Sequence, residues 1–304
     1  MKGIHVGISG WRYAPWRGDF YPKGLVQRRE LAFASRTVSS IEINGSFYSL
    51  HTPERYAGWR DDTPDNFVFS VKAPRYITHI KRLRDVGEAM ANFYASGPLQ
   101  LEHKLGPFLW QFPPSFKYDA GLFAEFFALL PRNVGEAMQC ARQSQRFDDP
   151  PAPCSTDGTA LRHAVEIRHP SFLQEDFIDL LRQHRIALVV ADTAGKWPLV
   201  EELTADFMYL RLHGDKQLYT SGYDEDALTR WEQRIRLWHQ GHQPEDARRI
   251  SSKADSSRAK RALYCYFDND VKVRAPYDAR RLLEKLGMAN ELEAQPGQLS
   301  GEFL

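Results

Sequence analysis

Apolar, β-branched and aromatic residues recur along this chain in short runs, separated by polar and turn-forming residues. Eight runs stand out, at residues 5–8, 40–44, 67–72, 106–112, 164–168, 187–192, 207–213 and 263–268. Continuous apolar runs of this length suit strands buried on both faces, as in a parallel sheet. Helical periodicity fills most of the intervals and predicts helices over 25–38, 54–60, 85–95, 119–130, 224–240 and 276–286, and Pro170-Ser171 followed by Glu175 reads as the capped start of a further helix running to His184. Thr52-Pro53 reads as an N-cap with proline at the first helical position, and Gly241 and Gly287 read as helix stops. The interval between the sixth and seventh strands lacks a clear helix.

This alternation predicts an α/β fold, a single TIM-type (β/α)8 barrel of parallel strands with helix six weak or missing. A doubly wound open sheet is the competing architecture. It typically uses fewer strands, and its glycine fingerprint is missing, since Gly7-Ile8-Ser9-Gly10 is not GxGxxG. The barrel is expected over residues 1–289, with loop insertions near 143–159 and 241–260 and a mobile tail over 290–304.

Barrels build their chemistry at the C-terminal strand ends, and alternate strand residues point into the lumen. The predicted ends are polar. They are Glu42 and Asn44, Lys72, Gln111, Glu166 and Arg168 with His169 following, Asp192, Arg211 and His213, and Asp268, Asn269 and Asp270. Ile41, Ile43, Val165, Ile167, Leu210 and Leu212 take the alternate positions and should face the helices. Charges in a lumen cost desolvation unless they pair or meet water. Two readings follow. One is an internal salt-bridge network, such as Glu166 with Arg168 or Arg211. The other is a pocket carrying acid and base groups.

Composition narrows the class. The chain has 304 residues, 40 Lys and Arg against 39 Asp and Glu, a net charge of +1 and 12% aromatics, which excludes disorder as the main state. Near-neutrality lowers the expectation of a nucleic-acid wrapper without removing it. No apolar run approaches the ~20 residues of a membrane helix. The start lacks the apolar stretch of a signal peptide, and Cys140, Cys154 and Cys265 form no CxxC pair. A reducing, cytoplasmic setting with no membrane partner is expected.

The strand ends and their neighbours also carry a resemblance. The stretches are Gly7-Ile8-Ser9-Gly10-Trp11 through Trp16 and Phe20-Tyr21-Pro22, Glu42-Ile43-Asn44 with Ser46-Phe47-Tyr48, and Phe69-Ser70-Val71-Lys72 with Thr78-His79. They continue with Leu105-Gly106-Pro107, Trp110-Gln111-Phe112-Pro113-Pro114, Glu166-Ile167-Arg168-His169, Asp192, Arg211-Leu212-His213-Gly214 and Tyr266-Phe267-Asp268-Asn269-Asp270. In this order they resemble the domain of unknown function 72 family of YecE-like proteins over nearly the whole chain. Gly45, where a small polar residue is expected, and a longer insertion at 143–159 depart from the pattern. The resemblance implies a TIM-type barrel and brings no activity with it.

The residues themselves therefore carry the functional expectation. Glu42, Glu166, Asp192 and Asp268 are the candidate catalytic carboxylates, two of which can divide acid and base roles, with His213 as a further proton carrier. Trp11, Asn44, Tyr48, Lys72, His79, Gln111, Arg168, Arg211, Asn269 and Asp270 are the candidate substrate-binding residues, and the arginines suit a phosphate. Trp11 and Tyr48, with Trp16 and Tyr21, either wall the pocket or pack the long first loop. Ligand-type residues are present at His169, His213, Asp192, Glu166, Asp268 and Asp270. No HxH, HExxH or cysteine cluster accompanies them, and Lys72, Arg168 and Arg211 would repel a cation, so no metal or cofactor is expected. The expected protein is a hydrolase-like acid/base enzyme acting on a small polar molecule, a sugar or phosphate ester. The alternative is a non-enzymatic binder of nucleic acid or of a phosphate ligand, for which Lys72, Arg75, Lys81, Arg82 and Arg84 form a basic run.

Overall fold

The computed structural model describes residues 3–219, 221–253, 259–269 and 272–298. Its strands are β1 (Ile4–Ser9), β2 (Ser40–Ile43), β3 (Val68–Lys72), β4 (Leu105–Gln111), β5 (His163–Glu166), β6 (Ala187–Asp192), β7 (Phe207–Leu212) and β8 (Ala262–Phe267). Each pairs in parallel with its sequence neighbour, and β8 closes on β1 through the register Ile4 to Leu263 and Ile8 to Phe267. The architecture is the expected α/β barrel of TIM type.

Around it run α1 (Glu30–Thr37), α2 (Gly45–Tyr48), α3 (Pro53–Asp61), α4 (Gly87–Ala95), α5 (Ala120–Leu129), α6 (Val134–Ala141), α7 (Glu175–His184), α8 (Glu225–His239) and α9 (Arg274–Lys285). Asp119, Asn133 and Asp224 cap α5, α6 and α8 by accepting backbone N–H bonds of 3.0, 2.8 and 2.9 Å. The chain passes from β6 to β7 without a helix.

The strand pleat separates two cores. Ile41, Ile43, Val165, Ile167, Leu210 and Leu212 pack outward with the apolar helix faces. Leu109, Ala164, Val189, Ala191, Tyr209, Tyr264 and Tyr266 fill the lumen. Closure brings β1 and β2 close together at Gly7, where a Cβ would sit 1.6 Å from the Ser40 carbonyl oxygen, so only glycine fits. Tyr266 stands across the lumen, its hydroxyl 2.8 Å from Ser40 Oγ and 2.7 Å from Ser70 Oγ. The aromatic filling leaves the charged residues gathered above it.

Several details differ from the sequence reading. The first helix begins at Glu30, after a 3-10 turn at Gln27–Arg29. Asp85 has left-handed backbone at φ 47°, so α4 starts at Gly87, with Glu88 as its first-turn acid. β5 ends at Glu166, two residues short of the predicted end, as the chain turns toward the 3-10 turn Pro170–Phe172. α6 was not predicted. It is a short helix packed against α4. The loop after α8 is held by Glu201 and Glu202, whose carboxylates accept from the N–H groups of Arg248, Ile250 and Ser251. The tail expected to be mobile from residue 290 is docked over its described part. Ala294 is buried and donates to Arg36 O at 3.0 Å, and Gly297 donates to Phe20 O at 2.8 Å.

Candidate functional site

Arg211 occupies an inward position of β7 and joins the carboxylates of three other strands. Its Nη2 lies 2.9 Å from Glu42 Oε1 and 2.9 Å from Asp268 Oδ2, and its Nη1 lies 2.7 Å from Glu166 Oε2. Glu166 accepts a second bond at Oε1 from Arg168 Nε, 2.8 Å away. Glu42 also accepts from Tyr209 Oη and from Ser9 Oγ, each at 2.6 Å. Ser9 in turn accepts from Asn44 Nδ2 at 2.7 Å. His213, two residues after Arg211 and so on the same face, places Nδ1 3.0 Å from Asp268 Oδ2 and Nε2 3.5 Å from Arg211 Nη1. Glu42, Glu166, Asp268, His213, Lys72, Arg168 and Arg211 thus meet at the C-terminal mouth.

Pairing is what makes this burial tolerable. Burial by itself would raise the Glu166 carboxyl, but the Arg168 and Arg211 guanidiniums outweigh it and hold the group well below the usual carboxylate range. Asp268 is held down likewise by Arg211 and His213 against its own burial. Burial would lower Arg211, but Glu42, Asp268 and Glu166 hold its pKa well above the ordinary value. A carboxyl depressed in this way stays ionised near neutrality and is a weak base, so Glu166 and Asp268 are suited to orienting a neighbouring proton carrier or holding a positive charge rather than to taking up or supplying protons.

Lys72 differs from the other charges. It ends β3 pointing inward, 8% exposed, with Nζ 4.2 Å from the centroid of the Phe47 ring. Among the described residues no carboxylate lies within ion-pair distance of it. Burial and the nearby Arg211 push its ammonium down to about 8, against the opposing pull of Glu42, Glu166 and Asp268. His79 stands edge-on to the other side of this region, its ring 5.1 Å from Phe47. Burial, Lys72 and Arg168 push its imidazole down to about 4, so it is neutral near pH 7. Arg168 lies over the Trp197 ring at 3.8 Å.

The remaining candidates divide. Asn44 is at the mouth, and its buried Oδ1 has no hydrogen-bond partner among the described residues. Gln111 is buried on the inner face of β4, opposite Glu166 in the register. Tyr48 is 72% exposed and borders a groove beside the mouth. Trp11, Trp16 and Tyr21 are core residues of the first loop, with Trp11 edge-on to Trp59 and its carbonyl accepting from Tyr21 Oη.

Asp192 stands apart from the charge cluster, because Ala187, Val189 and Ala191 take the inward positions of β6. Asp192 accepts from Tyr223 Oη at 3.1 Å on the outer face, where burial pushes its carboxyl up. Asn269 is likewise turned away and donates to Asp278 Oδ2 at 2.9 Å and Ser221 O at 3.0 Å, tying the β8 end to α9. Asp270 lies outside the described residues.

Trp197, Tyr209 and Tyr219 belong to the site and were not singled out from the sequence, and Ser9 and Phe47, which also belong to it, stood only in the stretches that carry the family resemblance. Ser9 and Tyr209 sit two residues from Gly7 and Arg211 at the same inward parity, which was the available signal. Tyr219 reaches the mouth from the loop after β7, its ring 5.3 Å from His213. Among the described residues no group of three or more His, Cys, Asp or Glu side chains is arranged to hold a metal ion. Likewise, no helix among them is long and apolar enough to cross a membrane.

A closed parallel barrel with a polar C-terminal mouth is the class that fold and site define. The chain belongs to the family described as protein of unknown function DUF72, whose model matches residues 5–300. It is 23% identical over 266 residues to the UPF0759 protein YecE of Escherichia coli K12, covering 79% of this chain and 84% of that one. It is 30% identical over 121 residues to the UPF0759 protein YunF of Bacillus subtilis, a match spanning 37% of this chain and 41% of YunF. A crystal structure of a DUF72 family protein from Thermotoga maritima superposes with TM-score 0.67 at 26% identity, covering 93% of this chain and 99% of the other. A second, from Enterococcus faecalis, gives TM-score 0.65 at 17% identity over 98% of this chain and 100% of its own.

Proposed function

We propose that this DUF72 protein is a hydrolase-like acid/base enzyme acting at the C-terminal mouth on a small polar molecule, a sugar or related compound bearing a phosphate or carboxylate. Lys72 carries the reading. Every carboxylate of the cluster already has an arginine partner, whereas among the described residues this buried ammonium has no carboxylate within ion-pair distance and lies over the Phe47 ring. A desolvated cation without a counterion favours an incoming anion. Lys72 and the outer edge of Arg168 take the anionic group, and Asn44 Oδ1 accepts from a substrate hydroxyl. His213, held with Nδ1 3.0 Å from Asp268 Oδ2, moves the proton. Glu42, Glu166 and Arg211 form the frame that holds these groups in place. The division of acid and base roles between two carboxylates gives way here to the His213–Asp268 pair. A cytoplasmic setting goes with this reading, and Cys140, Cys154 and Cys265 are all free thiols.

The test pairs binding with turnover. Millimolar phosphate and sugar phosphates should raise the melting temperature of the wild type and leave Lys72→Met unmoved. Phosphorus NMR of a sugar phosphate set should then show cleavage that His213→Asn abolishes. Binding lost in Lys72→Met without any turnover would reduce the protein to a phosphate-ligand binder. No anion response in the wild type would defeat the reading. The nucleic-acid alternative rests on the run ending at Arg84, but Arg82 already lies over Phe116 and bonds Ser115. That alternative predicts RNA or DNA binding that falls steeply with salt.

A further inference from the structure

The opposite end of the barrel carries a second polar feature. A cavity of about 1020 Å³ opens at the N-terminal strand ends, bounded by the starts of β4, β5, β7 and β8 and by the end of α7. The lumen between it and the mouth is filled by Tyr264, Tyr209 and Tyr266, so the two are separate sites.

Its wall is strongly cationic. Arg132, Arg162, Arg182, Arg185, Lys260 and Arg261 line it, and Asp206 is the carboxylate among the described lining residues. Two of these arginines are oriented by neutral acceptors. Arg162 donates to Tyr264 Oη at 2.9 Å and Arg132 to His184 O at 3.0 Å. Such bonds fix the direction of a guanidinium without cancelling its charge. Asp206 meets Arg162 only at 3.4 Å, and Glu202 offsets Arg182. Arg185 and Lys260 are exposed at the rim. The surplus is felt by the neighbours. His5, stacked on Tyr264, is pushed down to about 4 by burial and by Arg162, and His184 is lowered by burial and by Arg132.

Like charges gathered on a concave wall repel one another and focus a positive potential into the cavity. A multiply charged anion relieves that repulsion, and fixed guanidinium forks match phosphate oxygens. The volume is that of a small-ligand site. Tyr264 is nearly fully covered, so the wall offers charge rather than a ring to stack on. We propose that this cavity binds a small molecule carrying two or more phosphate groups.

Calorimetric titration with inorganic triphosphate tests this, with orthophosphate and a short single-stranded RNA as comparison ligands. The variant is Arg185→Asn with Lys260→Gln. Both residues are exposed, and asparagine tolerates the left-handed backbone at Arg185, φ 54°. The wild type should bind triphosphate at least about tenfold more tightly than orthophosphate, and the double variant should lose about tenfold or more, which is roughly 1.4 kcal/mol. The loss caused by the double variant should be the same size when both substitutions are made in a Lys72→Met background, which separates this site from the proposed enzymatic one. No binding by the wild type, or binding indifferent to the double variant, overturns the proposal. RNA bound more tightly than triphosphate, and lost in the same variant, overturns the small-molecule assignment.

Discussion

Arg211 and Glu166 lie 45 positions apart in the chain and meet at 2.7 Å in the middle of the barrel mouth. Both side chains are buried, and the same guanidinium also holds Glu42 and Asp268. Removing Arg211 takes the arginine partner from Glu42 and Asp268 and leaves Glu166 with Arg168 alone, and breaking buried pairs in this way costs more than the pairs themselves contribute. Arg211→Met should therefore destabilise the fold by about 3–5 kcal/mol in urea titration. A loss under about 1 kcal/mol would show that water reaches these carboxylates, contrary to their burial.

The same pairing makes the protein sensitive to acid. Glu166 and Asp268 have folded-state pKa values below their ordinary ones, so the unfolded chain binds more protons in acid. Their contribution is complete above the ordinary carboxylate range of about 4 and is lost as pH falls below it. The midpoint of urea unfolding should drop steeply between about pH 4 and pH 2. Glu166→Gln should flatten that slope, and an equally steep fall in this variant would place the acid sensitivity elsewhere.

Lys72 has the opposite consequence. Its folded pKa of about 8 lies below the ordinary value of 10.5. Between those values the unfolded chain binds the extra proton, so stability rises with pH across the window. The cost of keeping Lys72 charged in the fold is of the order of 3 kcal/mol at neutral pH. Comparison with Lys72→Met isolates this residue from the tyrosines that titrate nearby. The wild type should gain on the variant from pH 8 toward pH 10, and parallel curves would mean that the ammonium is well solvated.

These properties were unequally legible in the sequence. The inward parity of Glu42, Glu166 and Arg211 was readable, because each alternates with Ile, Leu or Val neighbours that demand the helix-facing side. Asp192 was not placed correctly, since β6 is apolar on both faces and its sequence Ala-Leu-Val-Val-Ala-Asp does not say which set turns inward. Asp268 and Asn269 are adjacent, so only one of them shares the lumen, and both had been assigned to it. The contact between Tyr209 and Glu42 exists only once the sheet has closed, and no local pattern announces it. α6 escaped because it is short and follows Pro131 almost directly.

Parity gives the last prediction, which separates the mouth from its surroundings. Asp192 and Asn269 sit at strand ends like the site residues, yet their bonds run outward to Tyr223 and to Asp278. Asn269→Ala removes two hydrogen bonds from a buried amide, and Asp192→Asn weakens the acceptor that Tyr223 uses. Each should cost about 1–2 kcal/mol of stability. Neither should change the size of the phosphate-induced shift in melting temperature, because neither faces Lys72 or Arg168. Lys72→Met should cancel that shift while leaving the fold intact at neutral pH. If Asp192→Asn cancels it as well, the anion site extends through the strand layer and the inner face of the barrel is not its boundary.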